Sequence, residues 1–260
     1  MKKLRYIIFL SIPLFTLWFC TSSSGVKHKE AISNAATKDF NQSNKNVAVL
    51  ELFTSQGCSS CPPADRLLGT YASKENIIAL SFHVDYWDRL GWKDPFSAKG
   101  YTKRQYNYAS ALNASVYTPQ LVINGRTEMV GSNANKISET ITKVLNEAPA
   151  AELSIKSVDD ENGRVNIIFD ASGNLTNAVL NIALVEKKAT TEIKAGENDG
   201  VTLDNFNVVR NFKTINEVNN GSSTSAIEIP SGADLKNLSV VLFLQEKNNN
   251  QILAADQKSL

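Results

Sequence analysis

A chain of 260 residues with 42% hydrophobic and 20% charged side chains can bury one large core or two ordinary ones, which excludes an intrinsically disordered protein. Its formal charge is +1, and without Lys2, Lys3 and Arg5 in the first 20 residues 24 basic groups face 26 acidic ones. Neither balance supplies the basic field that nucleic acid requires, so no nucleic-acid partner is expected.

The N-terminus opens with the short positive segment Met1-Lys-Lys-Leu-Arg5, and Tyr6 to Phe19 is almost wholly apolar. This is the pattern of a signal peptide over residues 1–20, too short for the ~20 residues of a spanning helix. The protein is therefore expected to be exported, periplasmic or secreted. Leu17-Trp-Phe-Cys20 resembles the lipid-attachment site of bacterial lipoproteins but departs from it at Phe19, where a small residue is usual. Acylation of Cys20 would add a membrane tether. Residues 21–46 are rich in Ser, Asn, Lys and Ala without periodicity, and read as a flexible tether.

Residues 47–148 alternate strand and helix signals. Strands are expected at 47–53, 77–84, 121–123 and 128–130, the last two joined by Asn124-Gly125, a dipeptide that favours a tight hairpin turn. Helices are expected at 64–73, 97–112 and 133–147. The order is that of an α/β thioredoxin-like domain. Pro149 marks a boundary, after which seven short strand-like runs with Asn-Gly turns predict an all-β, sandwich-like domain over 150–260.

With Cys20 cleaved off or lipidated, Cys58 and Cys61 are the two cysteines left to the folded body, and in an oxidising compartment they pair with each other or with a client. They sit in Gly57-Cys58-Ser59-Ser60-Cys61-Pro62-Pro63, just past the apolar run that ends at Phe53. A thiol attacks as its thiolate, and a helix N-terminus lowers the pKa of a cysteine placed there. Cys58, as the more exposed of the two, would attack, and Cys61 would resolve the mixed disulfide. Thr118-Pro119, ahead of the apolar run 121–123, is expected to be cis and to present Thr118 to an extended client. Pro62 and Pro63 leave open a helix that starts only near Pro62, with Ser59-Ser60 in a looser turn. Glu51, seven residues before Cys58, has two readings: a proton shuttle for Cys61, or a strand carboxylate paired with Lys or Arg. The aromatic string from His83 to Phe96 reads either as a client-binding wall or as a packed insertion.

Two alternatives to redox chemistry stay open. One is a structural disulfide, although a four-residue ring restrains the unfolded chain by only roughly 2 kcal/mol. The other is a thiophilic metal such as copper on Cys58, Cys61 and His83; a four-ligand zinc site lacks a second cysteine pair, and His28 is the one further histidine.

The strings from Glu51 to Asp65, from His83 to Phe96, Val116-Tyr-Thr-Pro-Gln120, Asn124-Gly-Arg126, Gly196-Glu-Asn198 and Asn207-Val-Val-Arg210 closely resemble the secreted bacterial family known as domain of unknown function 1223. The resemblance implies a thioredoxin-like fold followed by a β-rich region, and no established reaction. Cys58, Cys61 and Pro119 fill its thioredoxin-type positions, while Ser59-Ser60 and the double proline differ from thioredoxin itself. The combined expectation is an exported thiol–disulfide oxidoreductase acting on protein thiol or disulfide clients without a cofactor. The alternative is a non-enzymatic envelope binding or assembly module.

Overall fold

The first strand, β1 (Ala48–Thr54), is buried at every position, which places it at the centre of a sheet covered on both faces. The computed structural model describes residues 46–260; the expected signal segment, Cys20, His28 and the tether up to residue 45 lie outside the described residues. β1 pairs in parallel with β2 (Ile77–His83), Leu50 opposite Ala79, and antiparallel with β3 (Gln120–Ile123), Leu52 opposite Leu121. β3 turns into β4 (Thr127–Val130) through Asn124 and Gly125, both left-handed at φ 48° and 68°. A Cβ on Gly125 would lie 1.9 Å from the Asn250 carbonyl oxygen, so the close approach demands glycine.

Alternation along β1 sends Leu50 and Leu52 to one face, where α1 (Pro62–Tyr71) and α3 (Ala134–Leu145) cover them with Leu68, Ile137 and Ile141. Val49 and Phe53 point to the other face, where α2 (Lys99–Leu112) contributes Tyr101 and Tyr108.

The second half overturns the expected fold class. Its strands are β5 (Ala151–Glu161), β6 (Arg164–Gly173), β7 (Ala178–Glu192), β8 (Thr202–Ile215), β9 (Gly221–Glu228), β10 (Leu238–Glu246) and β11 (Ile252–Ser259). They do not form a sandwich that follows an α/β thioredoxin-like domain. β8 joins the free edge of β2, Ser81 opposite Val208, and the result is one mixed eight-stranded sheet ordered β11-β10-β7-β8-β2-β1-β3-β4. The described residues are mostly β, 45% strand against 21% helix, and all fall within one compact unit. The physical reason lies in β10. Val240, Leu242 and Leu244 face one core while Val241 and Phe243 face another, so this strand is buried on both sides as a sheet-interior strand must be. The small antiparallel sheet β5-β6-β9 covers the β7, β10 and β11 end, through Val165, Ile167 and Phe169 and a bond from the Ile155 N–H to Asp256.

Candidate functional site

α1 begins at Pro62 with Cys61 as its N-cap, so Pro62 and Pro63 occupy the first helical positions, where an N–H would lack a helical partner in any case. Cys61, not Cys58, therefore stands at the helix N-terminus. Ahead of it the chain turns tightly: the Cys58 N–H donates to the Ser55 carbonyl and the Cys61 N–H to the Cys58 carbonyl, each at 3.2 Å. Cys58 and Cys61 are joined by a disulfide with 5.4 Å between Cα atoms, and Ser59 and Ser60 project into solvent.

Sixty residues later, Thr118 and Pro119 meet this turn. The Thr118–Pro119 peptide is cis, the Thr118 hydroxyl donates to Cys58 Sγ at 3.3 Å, and Trp87 Nε1 donates to the Thr118 hydroxyl at 2.9 Å. Ser60 Oγ lies 3.4 Å from the same sulfur. The structure thus brings together Cys58, Cys61, Thr118 and Pro119.

Two expectations need correction. Cys58 is not the exposed partner: it and Cys61 are both 0% exposed. They are covered by segments far away in sequence. Trp87, on the 3-10 helix Asp85–Leu90, packs on Gly57, where a Cβ would come within 3.4 Å of Trp87 Cβ. Asn198 lies on the other side and donates to the carbonyls of Gln56 and Cys58. The second correction concerns Glu51, which is not placed with the disulfide. Its side chain points to the opposite face from Leu52 and is held by Arg104 Nε at 2.5 Å, Arg104 Nη2 at 3.0 Å and the Tyr108 hydroxyl. It is the ion-paired strand carboxylate of the alternative reading.

A buried acid follows Cys61 by one helical turn: Asp65, whose N–H donates to the Cys61 carbonyl at 3.1 Å. Asp65 is 5% exposed; its Oδ2 accepts from the Thr54 hydroxyl at 3.1 Å and its Oδ1 has no partner among the described residues. Burial raises its pKa to about 6, against the pull of His83 and the Thr54 hydroxyl. Behind it, His83 Nδ1 lies 2.6 Å from Asp94 Oδ2, which also accepts from the Gln56 N–H at 2.8 Å. Burial lowers the His83 pKa, but Asp94 outweighs it and leaves the net shift upward. Burial likewise opposes ionisation of Asp94, yet His83 and the N–H groups of Gln56 and Phe96 hold that carboxyl below its ordinary range. Gln56 completes the network, with its amide donating to Thr191 and Asn205 and accepting from Trp92 Nε1.

Among the described residues no group of three or more His, Cys, Asp or Glu is arranged to hold a metal, and His83, the imidazole of the copper alternative, is engaged with Asp94. The aromatic string from His83 to Phe96 packs onto the cysteine turn through Trp87 and Trp92.

Asp65 has a measurable consequence. Its folded pKa near 6 exceeds the unfolded value of 3.8, so folding takes up a proton between these pH values. Stability from this group is full below about pH 4, falls as pH rises to about 6, and stays lower above. Asp65→Asn is therefore expected to stabilise the protein at pH 8 by about 3 kcal/mol, with the gain vanishing at pH 4. Urea denaturation of both proteins at the two pH values tests this; an equal difference at both would remove the buried acid from the account.

Asp65, Asp94, Gln56, Trp87 and Asn198 were not among the site residues expected from the sequence. For Asp65 a signal existed, since the fourth residue after Cys61 stands one turn along a helix that starts at Pro62. Asn198 had none beyond its place in the family string.

A family model described as "Protein of unknown function (DUF1223)" matches residues 49–245. The chain belongs to the DUF1223 family. A crystal structure of a protein from Agrobacterium tumefaciens is 30% identical, covering 82% of this DUF1223 chain and 94% of its own, with a TM-score of 0.66. HBP35 of Porphyromonas gingivalis is 18% identical over 84% of this chain and 76% of its own at a TM-score of 0.59, a likeness of fold alone. No curated protein matches the chain.

Proposed function

We propose that this DUF1223 protein is an exported thiol–disulfide oxidoreductase working through Cys58 and Cys61. One observation carries the reading: the disulfide closes a four-residue turn in a segment that other bonds already fix. Thr118, Asn198 and Asp94 hold Cys58 and Gln56 in place by buried hydrogen bonds. A ring this small restrains the unfolded chain by only about 2 kcal/mol, so the bridge is a weak staple. Export is inferred from the charged and apolar N-terminus.

In the reaction, a client thiolate attacks Cys58 Sγ. The S–S bond breaks, its electron pair goes to Cys61 Sγ, and that sulfur takes a proton from Asp65, the buried acid one turn away. A second client thiolate attacks the client sulfur of the mixed disulfide, and Cys58 leaves as a thiolate. The client departs with its own disulfide and the pair holds two electrons. Run backwards, the same steps reduce a client disulfide and return the proton to Asp65. Thr118 and Pro119 flank the sulfur that the client reaches.

The complete burial of both sulfurs favours a second reading, a shielded structural bridge in a binding or envelope-assembly module. A redox titration separates the two. Thiol trapping across glutathione or dithiothreitol mixtures should give a potential between about −120 and −270 mV for an exchange site. A value below about −300 mV would mark the bridge as structural and end the oxidoreductase reading.

A further inference from the structure

The loop from residue 193 to 201, between β7 and β8, crosses the cysteine turn. Its base is closed by two backbone bonds of 2.9 Å, Ile193 N–H to Val201 O and Gly200 N–H to Ile193 O, and Ile193 is anchored at 1% exposure. Its tip, Lys194-Ala-Gly-Glu-Asn-Asp-Gly200, has no large apolar side chain and is exposed at most positions. Asn198 is the exception, buried against the turn. Its amide donates to the Gln56 carbonyl at 2.8 Å and the Cys58 carbonyl at 3.1 Å. Beside it the Glu197 carboxylate accepts from the Ser59 N–H at 3.0 Å. Gly196, at φ 82°, lets the tip lie against Trp92, whose Cβ would be 3.3 Å from a Cβ at that position.

Three hydrogen bonds from two neighbouring side chains thus fasten the tip, without hydrophobic burial to keep it shut. A segment so held belongs to the part of a protein that opens locally at low cost. The groups it occupies are the backbone carbonyls on either side of Gly57 and the amide next to Cys58. These are the groups that an extended polypeptide lying along the turn would engage.

We propose that loop 193–201 is a strap that shuts the disulfide away through Asn198 and Glu197 and is displaced when an extended client takes over the Gln56 and Cys58 carbonyls and the Ser59 amide. The strap reconciles a reactive pair with two fully buried sulfurs. It also sorts substrates: a peptide thiol carries the backbone that releases the strap, whereas a small thiol must wait for the loop to open. The biological role rests on the exchange reading above, but the strap itself is tested without it.

The full-length oxidised protein is exposed to dithiothreitol, and reduction of Cys58–Cys61 is followed by alkylation and mass spectrometry of that peptide. Asn198→Ala removes two of the three fastenings and should raise the rate about tenfold; Asn198→Asp, of equal size but without a donor, should do at least as much. Glu197→Gln, whose altered atoms are exposed, should give a rise of about threefold. Rates within twofold of the parent in Asn198→Asp and Glu197→Gln would overturn the strap. If the Asn198 variants lose the parent's near-UV circular dichroism, Glu197→Gln decides alone by the same criterion. A faster variant rate with a potential in the structural range leaves the strap standing and removes the redox reading. An exchange-range potential with unchanged rates does the reverse.

Discussion

Cys61→Ser is expected to abolish turnover of a disulfide client, by about 1,000-fold or more, while leaving the Cys58 thiolate able to attack that disulfide and form a stable mixed disulfide. The expectation follows from the division of labour at the turn. Cys58 carries the sulfur next to the Thr118 hydroxyl, and Cys61 caps the helix that brings Asp65 one turn away. Removing the resolving sulfur leaves attack by Cys58 on the client disulfide intact, and leaves the mixed disulfide without the thiolate that would release it. Mass spectrometry of the trapped protein should find the client on Cys58. Cys58→Ser should trap nothing, because the sulfur it leaves sits at the buried N-cap with the client-facing position empty of thiol. Equal trapping by both variants would undo the assignment of roles, and trapping by neither would undo the exchange reaction.

Arg104→Ala is expected to cost about 3–5 kcal/mol of stability, the largest loss from any single polar contact outside the disulfide turn. Glu51 is 0% exposed, and the guanidinium is its buried cation. The same guanidinium stacks 5.0 to 5.7 Å from the rings of Phe82, Tyr108, Phe212 and Phe243, and reaches Gln245 Oε1 at 3.2 Å. It therefore ties β1 and α2 to β8 and β10, so its loss loosens the seam between the two halves of the sheet. Truncation strands a buried carboxylate, which is the costly half of breaking such a pair. Urea denaturation measures the loss, and a change below about 1 kcal/mol would show that Glu51 finds another partner or a proton. A double variant, Arg104→Met with Glu51→Gln, should recover a substantial part of it, since neither charge then remains buried.

Much of the secondary structure was legible from local pattern. β1 announces itself as an apolar run, and α1 is punctuated by Pro62-Pro63 at its start. Asn124-Gly125 and Asn162-Gly163 mark turns whose left-handed φ values suit those residues. What went astray was how the pieces assemble. Pro149 and the change of texture after it suggested an independent sandwich, yet β8 docks on β2 by backbone hydrogen bonds that any side chain permits. The clue lay in Val240–Leu244, where apolar residues run on without a polar alternate, the mark of a strand covered on both faces. Glu51 kept two readings for a related reason. Its distance of seven residues from Cys58 says nothing about which face of β1 it occupies relative to the sulfurs, and its cation comes from 53 residues further on.

From the sequence alone came the sulfur pair, its four-residue spacing, the Thr118-Pro119 element, the strands and helices that carry them, and the family. These depend on short-range chemistry: side-chain periodicity, turn geometry and the fixed φ of proline. The tertiary structure alone decided that the sulfurs are covered, that Glu51 is held by Arg104 rather than placed with the disulfide, and that the two halves share one sheet. Each of these is a contact across many residues, and in the site Gln56 reaches Asn205 across 149 positions. Such contacts are selected by the free energy of the whole packed chain, in which a polar group is placed by whatever partner burial leaves within its reach.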